Sequence, residues 1–589
     1  MQDKPSRGLV MRYLQRSMAM GAFTTLAVCQ AAAQVPTPGA PPPGSPLPGI
    51  LQPQLPKVAP GLVTPSRPAV PELAAQGQSF AITEVTVLGA SAFSPEVIAG
   101  YTSRLTGPAV FQGDIEAARQ ALIDLYRSQG YVYTTARATI DRHTLRFQIV
   151  EGYVGDIAIE GDIGPVEAQL RRFLNHIVDQ KPLKAATLER WLLLAQDIPG
   201  LSLRSTLNPS STDPGVLTLL VQASRKPISG SISADNRAFS SSGPYESLAV
   251  LNFDSFSAYG ERTQASLFST FNGTSLFGQA SEELYLGGSG LKLRLYAGAG
   301  ASMPTGTLGT IGYNGITRVA GAQLSFPILR TRPQSLTVAL SFDALESDIG
   351  VNLGPGGTVL RNSYNSLRVL RFSGDYVRLD SLLGPTRSAT NAVTLRVSQG
   401  LEFLGSSKNG DTAAPPPRYG QVVTFTKLSG ELSRTQTLYE PFENGVISLH
   451  GAVSGQVTDD LLPPEEKFYL GGPRFNRGYF YGQVSGDKAL TASAELRLNT
   501  PISMPKSVPM EARAQFYVFY DWGQVWQNTA LESGASLRSA GGGVRFYLGE
   551  QIEVDLEGVY RGALYPTGSS LSVSALPSTA FYWQAMYRF

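Results

Sequence analysis

From about residue 227 to the end of the chain, apolar and polar positions alternate. In 291–297, Leu291, Leu293, Leu295 and Ala297 alternate with Lys292, Arg294 and Tyr296. In 490–498, Leu490, Ala492, Ala494, Leu496 and Leu498 alternate with Thr491, Ser493, Glu495 and Arg497. In 552–558, Ile552, Val554 and Leu556 alternate with Glu553, Asp555 and Glu557. A period of two places each set on its own face of a strand. Sixteen candidate strands follow: 227–239, 244–254, 260–272, 277–287, 290–302, 315–328, 334–347, 365–378, 389–402, 419–435, 444–456, 488–500, 511–522, 536–548, 551–561 and 579–589. Connections after even-numbered strands tend to be short, such as 288–289 and 549–550. Those after odd-numbered strands tend to be long, such as 348–364, 403–418, 457–487 and 562–578. The last strand puts Phe581, Trp583, Ala585, Tyr587 and Phe589 on one face, with aromatics at both ends. A soluble sandwich alternates too, but aromatic girdles around an apolar band mark a lipid-facing strand. Short turns at one end and long loops at the other are the pattern of an even-stranded membrane barrel. The pattern therefore predicts a mainly β protein, with a 16-stranded transmembrane barrel over 225–589.

Residues 80–223 read differently, as two copies of one module. Copy one (80–152) has a strand at 80–88, a short helix near 95–103, a helix over 114–129, and strands 131–139 and 143–150. Ile115, Ala118, Leu122, Leu125 and Tyr126 share one helical face. Asp114 is placed to cap that helix and Gly130 to end it. Copy two (153–224) repeats the order with strand 153–160, helices 165–178 and 186–197, and strands 201–207 and 215–222. Each copy is β-α-α-β-β, so the chain carries a short internal repeat before the barrel.

Composition agrees with export and a membrane barrel. Charged residues make up 16% of the chain, below the roughly 25% usual for soluble domains. The net charge of +2 argues against a nucleic-acid partner. Lys4, Arg7, Arg12 and Arg16, an apolar or small stretch from Met18 to Val28, and Ala31-Ala32-Ala33 read as an export leader over 1–33. The single cysteine, Cys29, lies inside it, in a stretch loosely like a lipoprotein cleavage box but with bulky Val28 before it, so the mature chain is expected to carry no thiol chemistry. A proline-rich linker is expected over 34–79. Its stretch 35–72 holds 13 prolines and reads as an extended, polyproline-like tether or, equally well, as a disordered tail without a function of its own. Past the leader no apolar run reaches 18 residues, so any membrane crossing falls to strands.

The longest connection, 457–487, contains Gly471-Gly472-Pro473-Arg474-Phe475-Asn476-Arg477-Gly478-Tyr479-Phe480. Strand 511–522 places Ala512, Ala514, Phe516, Val518 and Tyr520 toward lipid. Arg513, Gln515, Tyr517, Phe519 and Asp521 then face the lumen, with Gly523 just beyond. If the loop folds inward, Arg477 reaches Asp521, and a planar guanidinium suits a carboxylate. If it does not, Arg477 is a solvated loop residue and Asp521 an ordinary lumen acid.

These two motifs, Arg477-Gly478-Tyr479 in the loop after strand eleven and Phe519-Tyr520-Asp521-Trp522-Gly523 in strand thirteen, lie behind two repeated modules. In this combination the chain resembles the outer-membrane transporters of two-partner secretion, the haemolysin secretion/activation family. The resemblance covers essentially everything after the leader. It implies two periplasmic POTRA domains before a 16-stranded barrel, and an Arg477–Asp521 contact inside that barrel. It also implies a partner exoprotein held unfolded in the periplasm and carried to the cell surface without ATP. The outer-membrane lipid is a second partner. The barrel-assembly machinery is a third, reading the C-terminal strand that ends in Phe589. Two departures stand out: Asn476 occupies a position usually apolar, and 35–72 is too proline-rich for the helical plug many members carry. The alternative from the same superfamily is a barrel-assembly factor, which usually carries more modules. A diffusion porin is a weaker rival, because it has no use for 80–223.

No catalytic, cofactor or metal site is expected. His143, His176 and His450 are far apart in sequence. No G-x-S-x-G elbow and no G-x-x-x-x-G-K-[ST] loop occurs. The row Glu553, Asp555 and Glu557 suits a watery lumen. The modules are expected to hold the client by β-augmentation at a strand edge or in an apolar groove beside a helix. Strand 201–207 and helix 186–197 are the candidates in copy two.

Overall fold

The computed structural model describes residues 78–210, 213–238, 242–310, 312–352, 359–410, 415–504, 510–564 and 576–589. The export leader with Cys29 and the proline-rich segment 35–72 lie outside the described residues.

Module 1 consists of β1 (Ser79–Ile82), β2 (Glu84–Leu88), α1 (Pro95–Thr102), β3 (Gly107–Phe111), α2 (Gln112–Ser128), β4 (Thr135–Asp141) and β5 (Thr144–Val150). Its sheet runs β2-β5-β4, with β2 parallel to β5. The apolar face of α2, through Ile115, Ala118 and Leu122, packs on Leu145 and Phe147 of β5. β3 is absent from the sequence pattern. It opens on Gly-Pro and pairs with β1, so its signal is backbone pairing rather than alternation. Residues 131–134 form a turn rather than the start of a strand. The helix begins at Gln112, and no side chain caps it. Asp114 therefore lies inside the first turn, where a carboxylate still meets the positive end of the helix dipole. Gly130, at φ 87°, takes the left-handed conformation that closes the helix.

Module 2 consists of β6 (Tyr153–Glu160), α3 (Glu167–Leu174), α4 (Ala185–Gln196), β7 (Leu201–Pro209) and β8 (Val216–Arg225), with strand order β6-β8-β7. α3 is shorter than the expected 165–178. A 3-10 turn at Gly164–Val166 precedes it, and it stops at Leu174.

The barrel strands are β9 (Ile228–Asp235), β10 (Glu246–Asp254), β11 (Arg262–Thr270), β12 (Ser275–Tyr285), β13 (Lys292–Ser302), β14 (Asn314–Arg330), β15 (Gln334–Asn352), β16 (Val359–Asp380), β17 (Ala389–Gly400), β18 (Thr426–Tyr439) and β19 (Val446–Val457). Two short strands, β20 (Phe468–Leu470) and β21 (Val484–Gly486), pair within the long loop. Then come β22 (Lys488–Ile502), β23 (Ala512–Trp526), β24 (Ala535–Leu548), β25 (Ile552–Leu564) and β26 (Thr579–Arg588). Setting aside β20 and β21, these sixteen strands form one closed antiparallel barrel, with β26 pairing β9. Closure removes the free edge that lipid could not satisfy. Leu267, Leu295, Leu340, Phe372, Leu432 and Phe516 lie exposed on the outside. The alternate set, including Thr491, Ser493, Glu495 and Asp521, lies inside. Phe589 exchanges backbone hydrogen bonds with Gly230 across the seam, at 3.0 and 3.1 Å.

In the barrel, two further expectations need correction. The connection expected over 348–364 is largely strand, because β15 and β16 pair out to Asn352 and Val359. Residues 419–425, expected to open strand ten, instead form a loop that turns inward from Gln421. The Val422 amide bonds the Leu461 carbonyl at 2.8 Å, and Val423 and Phe425 bury beside Leu462, Leu345 and Leu367.

β8 runs almost directly into β9, so the end with short turns meets module 2. Asp197 accepts two hydrogen bonds from Arg330, at 2.7 and 2.8 Å. Arg190 donates to the Pro327 carbonyl at 2.8 Å, and the Arg332 amide to Glu189 at 2.7 Å. Gln169 donates to the Gly287 carbonyl at 2.9 Å. Tyr285, from β12, is 2% exposed and lies edge-on to Phe173 within the core of module 2. Helix α4, one of the client-holding candidates, thus spends Glu189 and Arg190 on the barrel.

Candidate functional site: an arginine-tipped loop inside the barrel

Residues 458–487 leave β19 at the far end, where the long loops are, and fold into the lumen. Gly471 and Gly472 both have φ 105°. A Cβ at Gly471 would lie 2.1 Å from the Phe480 carbonyl oxygen, so only glycine fits there. Asn476 also has positive φ, at 56°. Asparagine tolerates this conformation better than an apolar residue, and its amide donates to the Leu537 carbonyl at 3.0 Å. The polar residue at a usually apolar position is thereby accounted for by its backbone conformation.

The tip brings Arg477 to the wall. Its Nε and Nη2 donate to the two oxygens of Asp521, each at 3.0 Å, and its backbone amide donates to Asp521 at 2.9 Å. Nη2 also donates to Ser493 at 3.1 Å, and Nη1 to Glu495. The guanidinium lies 3.6 Å from the ring centroid of Phe519, close enough for a cation–π contact. Arg477 is 4% exposed, Glu495 2% and Asp521 0%. At this burial an ion pair survives only if nearly every donor and acceptor is satisfied.

The two glycines of the motifs set the approach. A Cβ on Gly478 would meet Ser539 Cβ at 2.8 Å and Val559 Cγ1 at 2.9 Å. One on Gly523 would meet Asn476 Oδ1 at 2.4 Å. The Gly478 carbonyl accepts from Tyr582 at 3.1 Å and from Arg561. Tyr479 is 1% exposed and packs with Leu470, Val484, Val525 and Leu537. Phe589 lies apart from this cluster, on the seam.

Reasoning from sequence brought Arg477 to Asp521 but missed the second carboxylate. Glu495 shares lumen parity with Ser493, the register partner of Asp521, and that row is the signal that finds it. Glu495 also accepts from Arg545 at 2.8 Å and Arg497 at 2.5 Å. Arg237 was also missed. It donates to the Arg477 carbonyl at 2.8 Å and to Glu557 at 2.7 Å, across more than 200 residues, and no local pattern announces it. Earlier in the loop, Glu466 holds Arg371 at 2.6 Å and Lys427 at 2.7 Å.

Nothing in this arrangement is a nucleophile paired with a base. His176 stacks on Trp191, and His450 bonds Thr435. Among the described residues, no three His, Cys, Asp or Glu side chains converge on a metal position.

A closed 16-stranded barrel, a loop pinned inside it, and two small α/β modules at its mouth define an outer-membrane transporter of the POTRA-plus-barrel type. The haemolysin secretion/activation (ShlB/FhaC/HecB) family model matches residues 216–546, more than half of the chain, and the ShlB-type POTRA model matches 80–152. The chain belongs to that family, the outer-membrane transporters of two-partner secretion. Among solved structures it is similar to CdiB from Escherichia coli, at 16% identity and TM-score 0.69, over 90% of this chain and 94% of that one. CdiB from Acinetobacter baumannii is similar at 15% identity and TM-score 0.60, over 90% and 95%. No curated protein sequence matches the chain.

Proposed function

We propose that the protein carries one partner exoprotein, unfolded and without ATP, from the periplasm through its barrel to the cell surface. On this reading the module end is periplasmic and the long-loop end faces outside. The observation that carries the reading is the lumen loop. A barrel of this size encloses a channel, and here the channel holds a loop fixed by side chains rather than by a strand. Such an obstruction can shift aside and return.

The modules then divide their labour. Module 2 is committed to the barrel through Asp197, Glu189 and Arg190. Among the described residues, the large apolar side chains left exposed before the barrel are Leu88, Val97, Tyr101, Phe111 and Val132, all in module 1. An extended client segment would meet these and the free edge of β2. Folding of the client outside the cell prevents its return and supplies direction. The seam strand ending in Phe589 is the proposed signal to the barrel-assembly machinery.

The test is a secretion assay with the large exoprotein encoded beside this protein, in cells with and without it, alongside Arg477→Ala. Client in the medium only with the wild-type transporter, and much less with a normally inserted variant, supports the reading. Client export without the protein, with depletion of other outer-membrane barrels, would make it an assembly factor instead.

A further inference from the structure

The far end of the long loop is held by a residue outside that loop. Arg418 belongs to the segment joining β17 to β18, and it is 7% exposed. Nη1 donates to Asp487 Oδ1 at 2.5 Å and to the Leu462 carbonyl at 2.9 Å. Nη2 donates to Asp487 Oδ2 at 2.9 Å and to Gln527 at 3.2 Å. Nε donates to Glu532 at 2.5 Å. All five donors of the guanidinium are thus placed.

Asp487 is 0% exposed and is the last loop residue before β22. Besides Arg418 it accepts the Leu462 amide at 2.9 Å and the Asn528 amide at 2.8 Å. Leu462 lies near the start of the same loop. Asp487 therefore ties the loop's two ends together, and Arg418 ties that knot to a second loop. A third loop joins through Glu532, which also accepts Lys467 at 2.9 Å, and through Asn528, which donates to the Thr458 and Asp460 carbonyls at 3.0 and 2.8 Å. The β17–β18, β19–β22 and β23–β24 connections meet at one carboxylate.

The tip has a different character. The Arg477 guanidinium is bound by strand residues alone, and its carbonyl by Arg237 of the β9–β10 connection, so releasing the tip means breaking loop chiefly from strand. Releasing Arg418 breaks loop from loop at the mouth and leaves the tip seated. We propose that Arg418 is a positioning residue that latches the outer mouth shut through Asp487, and that the mouth opens to ions by parting these loops while Arg477 stays on the wall, a step separate from the shift of the tip that admits a client. This rests on the reading of the protein as a channel. Its test needs no client, so it fails separately from the two-partner reading.

The experiment is single-channel conductance of the purified full-length protein in planar bilayers. Arg418→Ala and Asp487→Asn are each expected to raise open probability at least fivefold, with barrel folding unchanged by heat-modifiability on gels. The charge exchange Arg418→Asp with Asp487→Arg is expected to return it most of the way, which a merely structural loss would not do. Should the single variants fail to fold, the pair Val422→Cys with Leu461→Cys serves instead, because those residues already meet through a 2.8 Å backbone hydrogen bond. Oxidised, it is expected to hold open probability at or below wild type; reduced, it is expected to return to wild type. Folded Arg418→Ala and Asp487→Asn channels that conduct like wild type overturn the proposal, as does an oxidised pair that opens freely.

Discussion

Replacing Arg477 with alanine tests the tip most directly, and the structure sets the size of the effect. Glu495 does not become isolated, because Arg545 and Arg497 remain bound to it. Asp521 does: its remaining side-chain donor is Ser493, at 2.7 Å, and it is 0% exposed. Breaking one member of a buried pair costs about 3–5 kcal/mol. With one carboxylate stranded rather than two, the low end applies, about 3 kcal/mol. At roughly 1.4 kcal/mol per tenfold, that raises the population of released tip by roughly a hundredfold. The readout is maleimide labelling of Phe475→Cys, two residues from Arg477 and 8% exposed, in a Cys29→Ser background. Adding Asp521→Asn to the Arg477→Ala chain removes the stranded charge and is expected to recover at least tenfold of the lost protection. Labelling of Arg477→Ala within threefold of wild type would refute the reasoning. It would mean that apolar packing around Tyr479, and not the ion pair, seats the loop.

Gly478→Ala places a methyl group 2.8 Å from Ser539 Cβ. Overpacking of this kind costs about 1–3 kcal/mol, so the same labelling assay should show a rise of roughly fivefold or more, partly reversed by Ser539→Gly. In module 1, burial pushes the Glu151 carboxyl up, but hydrogen bonds from Ser91, Tyr126 and the Ser91 and Ala92 amides outweigh it and hold the group below its ordinary value. A folded value below the unfolded one makes this contribution fully present above the unfolded value and lost as pH falls through the folded one. Amide exchange across 78–152 of the full chain should therefore speed up at acid pH relative to 228–589, and Glu151→Gln should remove most of that difference. Arg330→Ala strands Asp197 at the module–barrel joint, where the carboxylate is partly exposed, so a cost of about 1–2 kcal/mol is expected. Faster protease cleavage after 225 in the folded, inserted protein is the measurement.

Strand alternation made the barrel legible, because a lipid face and a wet face impose period two at every position. It even located Asp521 by parity. What it missed has no period. β3 is held by pairing with β1. Residues 419–425 carry a strand-like run, yet Val422, Val423 and Phe425 pack under Leu461 and Leu462 because the interior of the far end also needs apolar side chains. Arg477 was singled out by its glycine neighbours, which announce tight backbone approach. Arg418, by contrast, sits in Pro-Pro-Pro-Arg-Tyr-Gly, a stretch that reads as an ordinary loop. Its role depends on Asp487, Gln527 and Glu532, contributed by two other loops.

Tyr285 is a barrel residue that sits inside the core of a module. Until the β12–β13 hairpin exists, module 2 has an unfilled space beside Phe173, and until module 2 exists, that hairpin turn exposes a large aromatic ring. The boundary near residue 225 therefore divides the chain by architecture, while the module 2 core is completed by a side chain from the β12–β13 hairpin beyond it. Thermal melting should show module 2 and the near end of the barrel losing structure in one step, and Tyr285→Ala should separate the two transitions.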